Sequence, residues 1–206
     1  TMTLISSVHV IISQSDVVMV GALVGAKETG LYNVANRLSS LLVFTLMAVY
    51  SVLASQASAL YAKQSLKELQ RIVSLGIKFV FFSTLPIAIV YIVWGSQVLR
   101  VFGEEFSASY PILVFLTLGQ LLSSLSGPVN LLLNMTGYQN DTAKILVLTA
   151  TVNITFNSIL IPNYGAMGGA VATAFATGLW NILMVYTVWN RIKIISFLIP
   201  KFMLRI

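Results

Sequence analysis

The stretch ILVLTATVNITFNSILIPNYGAMGGAVATAFATGLWNILMVYTVWN, residues 145–190, contains no charged residue. A helix that crosses the hydrocarbon of a bilayer needs about 20 apolar residues, so this stretch can hold two spans separated by the turn from Pro162 to Gly165. Three further charge-free runs cover residues 38–62, 79–99 and 106–140. The chain is 57% hydrophobic and 9% charged, whereas soluble domains carry about 25% charged residues. The sequence therefore predicts an integral membrane protein.

The apolar runs predict six transmembrane helices and no other domain. The predicted spans are Leu4 to Val24, Leu31 to Leu60, Ile72 to Gly95, Ala108 to Leu133, Ala143 to Ile161 and Gly168 to Trp189. The loops between them are short, so residues 1–190 are expected to form one all-α bundle. Residues 191–206 are expected to be a basic cytoplasmic tail or the start of a further helix.

The basic residues predict the orientation of the bundle in the membrane. Nine of them fall on one side of the predicted spans: Lys63, Lys67, Arg71, Lys78, Lys144, Arg191, Lys193, Lys201 and Arg205. Three fall on the other: Lys27, Arg37 and Arg100. The positive-inside rule then places both chain ends in the cytoplasm of a multi-pass protein of the cytoplasmic membrane.

The residue types argue against nucleic-acid binding and against catalysis. The net charge of +6 comes from short basic groups at the ends of the apolar runs, a pattern typical of membrane topology. The sequence has no cysteine, and His9 is its only histidine. We therefore expect no metal site, no cofactor and no enzymatic activity.

Asp16 and Arg37 lie well inside predicted spans, where a charge is costly in hydrocarbon. Asp16 and Arg37 stand on consecutive antiparallel spans, each roughly 10 to 12 Å from the connecting loop. Three interpretations of Arg37 stay open: its guanidinium reaches the headgroups, pairs with Asp16, or lines a cavity that receives an anionic substrate. Asn33 and Ser40 share its helix face and would assist the third role.

Polar and small residues also line the last two predicted spans. Asn153 and Asn157 are four residues apart on one face, where they serve either as hydrogen-bond partners between helices or as part of a polar pathway. In the last span, small residues repeat on two faces and predict close helix packing. These are Gly169, Thr173 and Thr177 on one face, and Ala170, Ala174 and Gly178 on the other.

Three segments in order resemble the second half of the polysaccharide-biosynthesis flippases. They are SDVVMVGALVGAKETGLYNVANRL (15–38), VFGEEFSASYPILVFLTLGQL (101–121) and NITFNSILIPNYGAMGGAVATA (153–174). These flippases belong to the multidrug/oligosaccharidyl-lipid/polysaccharide superfamily, with the lipid II flippase and the MATE drug exporters. The resemblance implies one six-helix lobe of a MATE-like two-lobe transporter, whose first lobe is missing here.

The resemblance also implies a substrate and a set of binding residues. The first two predicted spans of this chain would line a central cavity, and Asp16, Asn33 and Arg37 would lie in that lining. Arg37 would offset the lost hydration of an undecaprenyl-diphosphate headgroup. Weaker candidates for contact with the glycan are Tyr32, Asn36 and Gln120, and Asn153 and Asn157 complete the predicted substrate-binding set.

Three functions follow as hypotheses. The first is translocation of a lipid-linked oligosaccharide by alternating access, which needs membrane lipids and either an N-terminal lobe or a homodimer partner. The second is a cation-coupled multidrug exporter of the same fold, for which Asp16 would be the core acid. The third is a non-transporting membrane scaffold for glycan assembly.

Overall fold

The computed structural model describes residues 15–198, apart from the side chains of residues 45 and 48, and contains no strand in that range. Helix α1 runs through residues 15–23. The other elements are α2 (Ala26–Ser40), α3 (Val43–Ala62), α4 (Leu66–Arg100), a 3-10 helix (Glu104–Ser109), α5 (Tyr110–Ser126), α6 (Val129–Met135) and α7 (Gln139–Ile192). The all-α prediction is confirmed for the described residues. His9 and the first part of the span predicted from Leu4 lie outside them.

Two of the predicted spans are interrupted. The span predicted from Leu31 to Leu60 consists of α2 and α3, because Leu41 and Leu42 donate to carbonyls three residues earlier and tighten the helix into a 3-10 turn. The span predicted from Ala108 to Leu133 is divided into α5 and α6 at Gly127 and Pro128. Gly127 has a φ of 65°, and Pro128 has no N–H to continue the helix.

Helix α7 is a hairpin of two antiparallel arms. A straight helix of its 54 residues would be about 80 Å long, yet Arg191 Nε near its end lies 2.9 Å from Asp141 Oδ2 near its start. The reversal occurs at Gly165, whose φ of 60° and ψ of −146° are not helical. This confirms the predicted turn after Pro162. The spans predicted from Ala143 and from Gly168 lie in the first and second arms.

The second arm of α7 packs closely against its neighbours through its small residues. A Cβ built on Gly119 of α5 would lie 3.3 Å from the Cα of Ala174. On the adjacent face, a Cβ on Gly169 would lie 3.4 Å from the ring of Tyr32. The predicted close packing is therefore confirmed on both faces.

Three helical stretches of the described chain are long and apolar enough to cross a membrane. They are Leu66–Arg100, Glu104–Ser126 and Gln139–Ile192, and the last is the hairpin of α7. The part of the chain that the structure describes is therefore helical and suited to a membrane. The count of six spans stays a prediction.

After α7 the chain continues as a segment without regular secondary structure, residues 193–198. The side-chain amide of Gln70 in α4 donates to the carbonyl of Ile195 (2.9 Å) and accepts from its N–H (2.7 Å). Ser196 Oγ donates to the carbonyl of Ser126 at the end of α5. The remainder of the predicted tail, residues 199–206, lies outside the described residues.

Candidate functional site

Helix α2 carries polar residues on two different faces. Its apolar positions Leu31, Ala35 and Leu38 are buried in the bundle. Tyr32 is also fully buried, whereas Arg37, five positions later, is exposed. Since 3.6 residues make a turn, these two side chains point about 140° apart around the helix. They therefore belong to two separate sites.

The first site, the Asp16 cluster, consists of Asp16, Tyr32, Asn153, Asn157 and Thr173. Asp16 Oδ2 accepts hydrogen bonds from Thr173 Oγ1 (2.7 Å) and from Tyr32 Oη (3.3 Å). Its other carboxylate oxygen accepts from Asn157 Nδ2, which also donates to Asn153 Oδ1 (3.1 Å). Asp16 is 6% exposed and Asn157 is fully buried. A carboxylate is thus held in the protein interior by three donors from α2 and α7.

Local sequence features bring these side chains together. Asn153 and Asn157 face the same direction because they are four residues apart on one arm of α7. The reversal at Gly165 returns the second arm so that Thr173 reaches the same carboxylate. Glu28 of α2 supports that reversal, because its carboxylate accepts from the N–H of Ala166, the first residue after the bend (3.3 Å).

The Asp16 cluster is rich in oxygen atoms and lacks one hydrogen bond. Asn157 Oδ1 is buried and accepts no hydrogen bond from any residue that the structure describes. A buried acceptor without a donor costs about 1 to 3 kcal/mol. Carboxylate, amide and hydroxyl oxygens are the ligands that hard cations prefer. Beside the Asp16 carboxylate, Asn157 Oδ1 is therefore an oxygen ligand that the described residues leave free.

The second site, the Arg37 face, consists of Asn33, Arg37 and Ser40 on the uncovered side of α2. Arg37 Nε donates to Asn33 Oδ1 (3.3 Å), and Ser40 Oγ donates to the carbonyl of Arg37 (2.7 Å). Within residues 15–198, the guanidinium forms no ion pair. A charge that is oriented by a neighbour but not neutralised can bind an anion from outside the bundle.

The interpretation of Arg37 as the ion-pair partner of Asp16 is wrong. Asp16 is occupied by Tyr32, Asn157 and Thr173, and Arg37 lies on another face of α2. The sequence places the two charges at similar depth, but depth does not fix direction around the helix axis. The headgroup and cavity interpretations of Arg37 stay predictions.

The structure does not bring the other predicted binding residues to either site. Asn36 is half-buried, and its carbonyl accepts from Ser39 Oγ (2.9 Å). Gln120 is half-buried on α5, and no hydrogen bond joins its side chain to the described residues around it. Their roles in glycan contact stay predictions.

Thr173 is a site residue for which the sequence predicts only helix packing. The sequence does contain an indication of this role, because Thr173 carries a hydroxyl and lies one turn after Gly169, on the face that packs against α1 and α2. Tyr32 was considered for glycan contact, but its hydroxyl is buried against Asp16 and Thr173. Both residues act within the bundle.

The sequence is similar to one family of known proteins and to several individual relatives. The model of the MatE family matches residues 2–159. The chain is 28% identical over 173 residues to the probable flippase AglR of Haloferax volcanii, covering 82% of this chain and 36% of that protein. The probable low-salt glycan biosynthesis flippase Agl15 of the same organism is 24% identical over 183 residues, covering 88% and 39%.

A membrane protein of Methanocaldococcus jannaschii, MJ1068, is 28% identical over 179 residues, covering 84% of this chain and 34% of that protein. The chain thus spans a little over a third of the length of these curated relatives.

Proposed function

The chain belongs to the MatE family, and from that premise we propose that it forms one lobe of a transporter that moves a lipid-linked oligosaccharide across the cytoplasmic membrane. The names of AglR and Agl15 support a flippase of glycan biosynthesis. Their greater length supports a further lobe, from the same protein or a homodimer partner. The basic residues favour both chain ends on the cytoplasmic side.

The exposed guanidinium of Arg37 is the observation that carries this proposal. A diphosphate headgroup loses its hydration when it leaves water, and a planar guanidinium offers it two parallel hydrogen bonds and a charge. Asn33 holds the Nε edge of Arg37 and leaves the rest of the guanidinium open toward the uncovered side of the helix. That side is where a second lobe would enclose a cavity.

Flipping by Arg37 variants of the full-length protein tests the proposal. Loss of one charge-assisted contact should lower the rate about tenfold or more in Arg37→Ala. Arg37→Lys keeps the charge but not the bidentate geometry and should be intermediate. The measurement is the distribution of the lipid-linked oligosaccharide between the two membrane leaflets in cells.

Arg100→Ala is the matched control, because Arg100 is also exposed but lies in the last turn of α4. It should leave the distribution unchanged. Unchanged flipping by Arg37→Ala would remove Arg37 from the mechanism.

The Asp16 cluster favours a second candidate function, cation-coupled export. A buried carboxylate with amide and hydroxyl oxygens around it is suited to bind a coupling ion, and such residues inside a membrane commonly mark ion or proton pathways. The cluster joins α1, α2 and both arms of α7 through Asp16, Tyr32, Asn157 and Thr173. An ion bound there would therefore act on the packing of all of these helices. The same ion would serve to drive either the export of a drug or the flipping of a glycolipid.

Thermal unfolding of the purified protein in NaCl and in choline chloride tests ion binding. An ion that binds only the folded state raises the unfolding midpoint. We expect NaCl to raise it in the native protein but not in Asp16→Asn, with Asp141→Asn as the control. Equal midpoints in both salts would argue against a sodium site.

Efflux of a cationic dye from vesicles, lost in Asp16→Asn, would favour the exporter over the flippase.

A further inference from the structure

A second polar region lies where the two arms of α7 end side by side. The first turns of the first arm and the last turns of the second arm line an open pocket of about 450 Å³. Lys144 and Asp141 line it from the first arm, and Tyr186, Asn190 and Arg191 line it from the second. This pocket shares no residue with the Asp16 cluster or the Arg37 face.

The pocket holds an oriented guanidinium with part of its hydrogen-bonding capacity unused. Arg191 donates through Nε to Asp141 (2.9 Å), and its guanidinium carbon lies 5.5 Å from the centre of the Tyr138 ring. Nε and the ring fix its position. The terminal nitrogens of Arg191 have no carboxylate partner in residues 15–198. With the ammonium of Lys144, the pocket carries one net positive charge.

Exposed apolar side chains continue from the pocket toward the middle of the α7 hairpin. Leu148 is one turn beyond Lys144 on the first arm and is 52% exposed. Tyr186 and Ile182 lie one and two turns before Asn190 on the second arm and are 63% and 68% exposed. A ligand seated here would meet cations at its head and apolar surface along its body.

We propose that this pocket binds the phosphate of an anionic phospholipid of the surrounding membrane, whose acyl chains lie along Leu148 and Ile182. Basic pockets between helices at the membrane surface suit lipid phosphate groups. A free phosphate ion would use the same cations but would gain nothing from the apolar border. The inference does not depend on the proposed cargo.

Quenching of Trp189 by brominated lipids tests the proposal locally, since Trp189 is one turn after Tyr186 on the same face. The full-length protein, with its other tryptophans replaced by phenylalanine, is reconstituted in vesicles of phosphatidylcholine and phosphatidylglycerol. Brominated phosphatidylglycerol should quench Trp189 more strongly than brominated phosphatidylcholine. The relative affinity should fall about fivefold in Lys144→Gln, because one cation near the surface is lost.

Further variants separate binding from structural effects. Arg191→Lys keeps the charge and should retain most of the preference, whereas Lys144→Gln/Arg191→Gln should abolish it. Lys27→Gln removes an exposed lysine from the first turn of α2 and should change nothing.

Three results would overturn the proposal. One is equal quenching by the two lipids, and another is an equal loss of preference in Lys27→Gln. The third is loss of the preference for phosphatidylglycerol in millimolar inorganic phosphate, which would identify a site for the free ion.

Discussion

The Asp16 cluster and the Arg37 face involve opposite sides of α2, through Tyr32 and Arg37, and differ in how their charges are satisfied. Asp16 is buried and receives hydrogen bonds from α2 and from both arms of α7. Arg37 is exposed, and among the described residues its guanidinium bonds only to Asn33 on its own helix. One charge is part of the internal structure of the helical bundle, while the other is directed away from it.

This difference separates two physical tasks. A buried charge must be matched by donors within the fold, because no water reaches it, so its removal disturbs the packing of several helices. An exposed charge needs no such partners, so its removal should affect what the protein binds more than how it folds. Four substitutions probe this contrast through the free energy of unfolding of the purified protein.

Asn157→Ala should cause the largest loss of stability. It leaves Asp16 Oδ1 and Asn153 Oδ1 buried without their donor and removes the orphaned Asn157 Oδ1, and each orphaned acceptor costs about 1 to 3 kcal/mol. With the packing lost from a fully buried side chain, the free energy of unfolding should fall by about 3 kcal/mol. Denaturant unfolding in detergent micelles measures it. Asn163→Ala, at an exposed position of α7, is the control and should change it little. A loss no larger than the control's would mean that the cluster is not a structural unit.

Asp16→Ala should cost somewhat less, about 2 kcal/mol. The substitution removes an acceptor used by three donors, but Thr173 and Tyr32 are 3.2 Å apart and can still bond to each other. Asn157 also keeps its bond to Asn153. The control is Asp141→Ala, which removes a partly exposed ion pair and should cost at most about 1 kcal/mol. Equal losses in the two variants would contradict the difference in burial.

Much of the fold could be predicted from the sequence, because charge-free runs and glycines mark helices and turns directly. The reversal near Gly165 follows from Pro162 and the small residues after it. The break at Leu41 and Leu42 could not be predicted, since both residues are good helix formers and the turn depends on tertiary packing.

The candidate site was harder to predict than the fold. The intramembrane charges and the two asparagines are visible in the sequence, but their partners are not. Asp16 meets Asn157 and Thr173 from more than 140 positions away, and no local pattern fixes such a contact. The sequence therefore gives the polar residues of the site without their arrangement.

Tyr32→Phe tests a single hydrogen bond within the cluster. The ring stays in place while Asp16 Oδ2 loses one of its two donors, so stability should fall by about 0.5 to 1.5 kcal/mol. Tyr164→Phe is a suitable control because Tyr164 is 66% exposed. Should both variants unfold alike, the Tyr32 hydroxyl would not contribute to the cluster.

Arg37→Ala should have the smallest effect on stability, within about 0.5 kcal/mol, as for exposed positions generally. The hydrogen bond to Asn33 connects residues one turn apart on the same exposed helix face, so water can replace it on both sides. Unfolding of the variant beside the native protein and Tyr32→Phe measures this directly. A loss as large as that of Tyr32→Phe would mean that Arg37 is held by the fold. A stable protein that no longer flips its lipid would instead assign the guanidinium to the cargo, because binding is then the only role left for it to lose.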